Sequence, residues 1–170
     1  MREVSAGELA VMAGTRLVGD PEVVVGPEVV VDSRLAGPGS LFVALPGEHA
    51  DGHDYAARAV AAGASVVLGT RELPLAVPQL LADDAAAALA ALGTSVVAEA
   101  FGHGLVTIGI TGSSGKTSTK DLVAQVLAGA GDWVAAVGSF TNESGVPLTA
   151  TRVGPSTRFL VSEMGARGQG

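Results

Sequence analysis

The stretch Val106-Thr107-Ile108-Gly109-Ile110-Thr111-Gly112-Ser113-Ser114-Gly115-Lys116-Thr117-Ser118 limits what this chain can become more than any other. An apolar run rich in β-branched residues ends in glycines, serines, a lysine and a threonine. A helical pattern follows at once, with the pairs Leu122/Val126 and Val123/Leu127 four apart on one helix face. Strand, glycine turn, helix is the layout of a phosphate-binding loop. Glycines let the backbone curl with its N–H groups pointing inward, and the helix N-terminus adds a partial positive charge. In such a loop Lys116 reaches the β- and γ-phosphates of a nucleotide and the Thr117 hydroxyl ligates Mg²⁺. The strict pattern asks for glycine five residues before Gly115, where this chain has Ile110; the glycines fall at Gly109 and Gly112. Spacing alone therefore leaves open a glycine-rich turn that happens to contain Lys-Thr.

With 170 residues the chain can bury a substantial core in one or two domains. Hydrophobic residues make up 48% and charged ones 16%, which places it among globular rather than disordered chains. Aromatics are only 4%, so the core has to be built from small and β-branched residues. A net charge of −7 without clustered Lys/Arg argues against a nucleic-acid surface. It does not argue against a nucleotide, whose charge one lysine, backbone amides and Mg²⁺ can meet. Cysteine is absent, which excludes disulfides and thiolate metal sites. The N-terminus lacks the apolar core of a signal peptide, and no apolar run approaches membrane-spanning length, so a soluble cytoplasmic protein is expected.

Taken in order, Ser5-x-x-Glu8 is a capping-box pattern opening a helix to about Met12, with Gly14 ending it. Val23–Val25 and Val29–Val31 are candidate strands, and the second runs into Asp32-Ser33-Arg34. Leu41–Leu45 reads as a buried strand stopped by Pro46-Gly47. A polar loop, Glu48–Asp54, leads into a helix over Tyr55–Ala62 capped by Gly63. Ser65–Leu68 is another strand, and Pro74 and Pro78 bracket a connecting segment. Asp83-Asp84 caps an alanine-rich helix to about Ala100, continuous or broken at Gly93. Gly102-His103-Gly104 is the linker. Beyond the phosphate-loop unit, Trp133–Val137 and Arg158–Ser162 are strands. The expectation is an α/β chain: a small N-terminal α/β domain over residues 1–104, then the start of a parallel-sheet phosphate-loop domain over residues 105–170.

Ligands of parallel sheets sit at the carboxyl ends of the strands. Glu163 lies there, after Phe159-Leu160-Val161, on the same edge as the phosphate loop if the strands are parallel. A carboxylate so placed can hold Mg²⁺ directly or through water; the alternative is a solvated turn residue. His49 and His53, four apart in a loop, do not make a zinc site. His53 is expected to anchor the loop or touch a ligand.

These residues resemble the ATP-dependent Mur ligases of peptidoglycan synthesis. Thr111–Ser118 is similar to that family's variant phosphate loop, which accounts for the shifted glycine. Asp32-Ser33-Arg34, Pro38–Gly47 and Asp51-Gly52-His53-Asp54-Tyr55 resemble the UDP-binding N-terminal domain of the family's later members. Phe140–Thr149 and Glu163-Met164-Gly165-Ala166-Arg167 resemble the branch that adds the terminal dipeptide. The branch that adds the third residue would carry a Thr-Thr-Pro signature, which is absent. Thr141 departs from the pattern, where a second asparagine is usual.

The resemblance implies a ligase that joins UDP-MurNAc-tripeptide to D-Ala-D-Ala with ATP and Mg²⁺, through an acyl phosphate and a tetrahedral intermediate. By the match, Gly112, Ser113, Ser114, Gly115, Lys116, Thr117 and Ser118 bind the triphosphate, with Lys116 neutralising charge. Thr117 takes the metal and Glu163 supports it. Asn142 and Glu143 line the nucleotide and substrate cleft. Ser33 faces uracil or phosphate, and Arg34 is either an anion contact or one half of an ion pair. Neither nucleic acid nor a membrane is an implied partner, and a monomer is expected.

A chain ending soon after Glu163 lacks the family's further metal histidine, its carbamylated lysine and the domain that closes over ATP. It is therefore expected to be the front part of a ligase, inactive by itself, with an N-terminal domain that folds alone. Competing expectations are a third-residue-adding or folate-type amide ligase, and a nucleotide- or UDP-sugar-binding module without chemistry.

Overall fold

The computed structural model describes residues 1–47, 50–112, 114–127, 129–136 and 145–163. The first strand, β1 (Val4–Ser5), runs into helix α1 (Ala6–Ala13). Ser5 caps α1, its side chain accepting from the Glu8 amide, and Gly14 ends it in the left-handed region at φ 65°. The Glu8 carboxylate pairs with Arg2. Strand β2 (Arg16–Val18) follows, then β3 (Val24–Val25), which pairs antiparallel with β1.

The main sheet of the N-terminal part adds β4 (Val29–Val30), β5 (Leu41–Val43), β6 (Val66–Gly69) and β7 (Gln79–Leu81), in the order β2-β7-β6-β5-β4. All its pairings are parallel except β2 with β7. Successive side chains on a strand point to opposite faces, so this sheet must be covered twice. Leu41, Val43, Val66, Leu68 and Leu80 meet α1 and the long helix α3 (Ala85–Phe101) on one face. Val30, Phe42 and Val67 meet Ala56 and Ala59 of helix α2 (Ala56–Ala61) on the other. Alanines on the helices bring backbones close to a sheet of branched residues, which is how a core forms with few aromatics.

Three short strands escaped the sequence pattern: Val4–Ser5, where only a helix start was read, and two more. Arg16–Val18 opens on an arginine just after a helix stop, and Gln79–Leu81 follows Pro78 inside what reads as a connecting segment. Gln79 is buried, its side chain exchanging two hydrogen bonds with the Leu73 backbone, and so pins that segment to the sheet. Helix α3 starts from Asp84, whose side chain accepts from the Ala86 and Ala87 amides. It runs unbroken through Gly93, the continuous one of the two forms the sequence allowed. Gly93 is a contact point instead: a Cβ there would lie 3.0 Å from the Pro147 carbonyl oxygen.

The second part holds β8 (Val106–Ile110), α4 (Lys116–Leu127), β9 (Trp133–Ala135), α5 (Gly145–Thr151) and β10 (Phe159–Glu163). Its three strands form a parallel sheet in the order β8-β10-β9. Only half of the apolar stripe expected on α4 faces inward. Val123 and Leu127 pack against Ile110, Ala135 and Val161, whereas Leu122 and Val126 are 63% and 79% exposed. At 100° per residue the buried face is the one through Lys120, Val123, Ala124 and Leu127, and Leu122 lies about 150° around the helix from its centre. Helix α5 had no sequence signature, since it opens on glycine and contains Pro147 and two threonines. Pro147 sits in the first turn, where a missing N–H costs no intrahelical bond.

The sheets separate around Gly102–Gly104, but the apolar core does not. Leu105, Val153 and Leu160 belong to the same buried cluster as Val4, Leu9, Leu89 and Val96. Among the described residues, no helix is long and apolar enough to cross a membrane.

Candidate functional site

At the carboxyl end of β8 the chain turns through Gly112 and Gly115, with Gly115 at φ 77°, and enters α4 at Lys116. A side chain at Gly115 would be strained in that region, so glycine is required for the loop to close onto the helix N-terminus. Lys116 folds back and donates from Nζ to the Gly112 carbonyl at 2.7 Å, which holds its ammonium over the loop. Ser114 and Ser118 are exposed on the same turn. Ser113 and Asn142, like His49, Glu143 and the stretch after Glu163, lie outside the described residues.

The parallel register places Glu163 beside Ile110, at the same sheet edge as the loop. Its carboxylate is buried, 3% exposed, and accepts from the Thr117 hydroxyl at 3.2 and 3.4 Å. A hydroxyl and a buried carboxylate converging beside a glycine-rich helix N-terminus are hard oxygen donors of the kind that suit Mg²⁺. The described residues contain no group of three or more His, Cys, Asp or Glu that could hold a metal by themselves. Lys120, one turn after Lys116, is buried and donates to the Ala136 carbonyl at 2.7 Å, tying α4 to the end of β9.

A second site lies at the carboxyl ends of β4 and β5. A cleft of about 510 Å³ is bounded by Val31, Asp32, Ser33 and Arg34 on one side and by Leu45, Ala50, Gly52, Tyr55 and Arg58 on the other. Ser33 is buried at its base, in a 3₁₀ turn (Ser33–Leu35) capped by Asp32. Arg34 forks onto its neighbour: Nε donates to both Asp32 oxygens at 2.9 and 3.0 Å, and Nη2 to Oδ2 at 2.5 Å. Those bonds and the Arg34 amide lower the Asp32 pKa to about 2, and Asp32 raises that of Arg34. Of the two expected roles for Arg34, the ion pair is present; its side chain still borders the cleft.

The loop of the far wall is held by a buried histidine. His53 Nδ1 lies 2.5 Å from Asp51 Oδ1, and the Thr70 amide donates to Nε2 at 2.9 Å. Asp51 also accepts from the His53 amide and from Arg71, and these bonds hold its carboxyl far below the usual range. Loop anchoring was one of the two roles expected for His53, and this geometry supplies it.

Two family models match the chain: the Mur ligase family, catalytic domain, over residues 28–101, and the Mur ligase middle domain over residues 110–170. The chain belongs to the Mur ligase family. A UDP-N-acetylmuramoyl-tripeptide–D-alanyl-D-alanine ligase from Mycobacterium bovis is 52% identical over 161 residues, covering 84% of this chain and 32% of the relative. The chain thus spans about a third of the length of the curated Mur ligases it matches. Among solved structures, an Acinetobacter baumannii UDP-N-acetylmuramoylalanyl-D-glutamyl-2,6-diaminopimelate–D-alanyl-D-alanyl ligase superposes with a TM-score of 0.88. It is 30% identical and covers 100% of this chain and 38% of its own. The MurF ligase of Thermotoga maritima, solved in complex with ADP, has a TM-score of 0.69 at 29% identity, covering 82% and 32%.

Within this Mur ligase fold, sequence reasoning missed Arg58, Thr70 and Lys120. Arg58 is the one charged residue in the alanine-rich α2, a signal that could have been weighed. Thr70 acts through its backbone amide, which no side-chain motif advertises.

Proposed function

We propose that this chain is the amino-terminal part of a ligase that adds D-alanyl-D-alanine to UDP-MurNAc-tripeptide at the expense of ATP, in peptidoglycan precursor synthesis. The observation that carries the reading is the convergence of Lys116, Thr117 and the buried Glu163 on one sheet edge, in a chain 52% identical to a relative bearing that name. Residues 1–104 hold the uridine nucleotide and residues 105–170 begin the ATP domain. A cytoplasmic, monomeric enzyme goes with this reading.

In the proposed mechanism the amides from Gly112 to Ser118 cradle the triphosphate, and Lys116 leaves the Gly112 carbonyl to neutralise phosphate oxygens. Thr117 and Glu163 hold Mg²⁺, which when bound spreads the charge that develops on the phosphates. The tripeptide carboxylate attacks the γ-phosphorus and ADP departs. The dipeptide amine then attacks the acyl phosphate carbonyl, and inorganic phosphate leaves as the amide forms. The protein's share is positioning and charge neutralisation. Ser33 orients the uridine diphosphate, and Asn142 belongs to the nucleotide side.

A longer polypeptide carrying these residues should release phosphate from ATP only when UDP-MurNAc-tripeptide and D-Ala-D-Ala are both present. Turnover with a diamino acid and a dipeptide substrate in place of these two, or none with either set, would overturn the assignment.

A further inference from the structure

We propose that His53 is a positioning residue for the uridine cleft, and that its hydrogen bond from the Thr70 amide sets ligand affinity by fixing the cleft's far wall. This rests on the reading of that cleft given above.

A backbone N–H can only donate, so the Thr70 amide at 2.9 Å requires a lone pair on Nε2. The proton then sits on Nδ1 and is donated to Asp51 at 2.5 Å. The side chain is 1% exposed and has no slack, since a Cβ on Gly69 would fall 2.7 Å from Nε2. On one side of the ring, Asp51 bridges to Pro46, and the Gly52 amide donates to the Leu45 carbonyl at 2.9 Å. Leu45, Ala50 and Gly52 form the cleft wall. On the other side is Thr70, immediately after β6.

The bonds within the loop are local, such as Gly47 to the Ala50 carbonyl at 3.1 Å. The bond to Thr70 spans 17 residues and ties the wall to the sheet. Arg71 makes a second, exposed tie by donating to Asp51 at 2.8 Å across 20 residues. Without the buried bond to Thr70, more of the cost of positioning Leu45, Ala50 and Gly52 falls on ligand binding, and affinity drops without any ligand contact being lost.

Two substitutions separate the two ring nitrogens. His53→Asn keeps a donor toward Asp51 but places nothing at Nε2. His53→Gln carries an amide oxygen to about the reach of Nε2 and can accept from Thr70. In the full-length ligase, calorimetry with UDP should show His53→Asn binding about tenfold more weakly and His53→Gln within about threefold of the parent. The KM for ATP should stay within about twofold in both, because the phosphate loop is not touched. Exchange of the Gly52 amide should speed up in the Asn variant and stay slow in the Gln variant.

An Asn variant that matches a UDP-binding parent in affinity and exchange would overturn the inference alone. So would a folded Gln variant that binds UDP about tenfold more weakly than the parent, a result that decides the question even if Asn does not fold. A parent that ignores UDP would overturn the reading of the cleft and this inference with it.

Discussion

The Thr117 hydroxyl donates to the Glu163 carboxylate at 3.2 Å, across 46 residues of sequence. The contact joins the first turn of α4 to the last residue of the neighbouring strand, beside which the proposed function puts a nucleotide-bound magnesium ion. Replacing Glu163 by Gln should lower kcat of the full-length ligase by about 100-fold or more, while UDP affinity stays unchanged. Steady-state kinetics over a Mg²⁺ titration checks this; a variant needing no more Mg²⁺ than the parent would remove Glu163 from the metal's support.

Lys116 and Lys120 lie one turn apart on the same helix and should respond oppositely. Lys116→Ala breaks only a bond to the Gly112 carbonyl at the surface, so stability should hold while ATP affinity falls by about 100-fold. Lys120→Met removes a buried donor from the Ala136 carbonyl and should cost about 1–3 kcal/mol of stability. Nucleotide titration and urea unfolding of both variants distinguish the roles.

Gly93→Ala tests how firmly the two parts of the chain are joined. Alanine gains about 1 kcal/mol of helix propensity. The new methyl, however, would lie 3.0 Å from a backbone oxygen of Pro147 and 3.2 Å from the Ala150 Cβ. Backbone in a packed helix yields poorly, and overpacking of this kind costs about 1–3 kcal/mol, so net destabilisation is expected. Because the apolar cluster runs through both parts, residues on either side of Gly104 should lose protection together in denaturant.

Acid should weaken the cleft through Asp51. Its carboxyl is held below the ordinary 3.8 by the His53 amide, the His53 ring and Arg71, and Asp32 is lowered to about 2 by Arg34. Depressed folded-state values mean the unfolded chain binds more protons. The stabilisation is therefore complete above about pH 5 and is lost as pH falls from about 4 through the folded values. Urea midpoints from pH 6 down to pH 3 should drop less steeply in Asp51→Asn than in the parent. Equal slopes would mean that these bonds carry no folding linkage.

Short-range features were legible because the forces that make them act within a turn or two. Ser5 and Gly14 bound α1, Asp84 opens α3, and the glycine turn before Lys116 joins a strand to a helix, as the residues indicate. Where local preference is weak, as in Arg16–Val18, Gln79–Leu81 and Gly145–Thr151, packing supplied what propensity did not. The inward face of α4 was misread in part for the same reason: which apolar pair turns inward depends on the sheet beneath it.

The chain's own residues determined that a glycine-rich strand-to-helix turn, a buried branched sheet and capped alanine-rich helices would form, since each rests on neighbours within about four positions. Only the tertiary structure decided that Thr117 meets Glu163, that His53 hangs on the Thr70 amide and that Gly93 receives Pro147. Those partners are distant in sequence. They meet because strand order and helix packing are settled by burying surface collectively, which no local run of residues encodes.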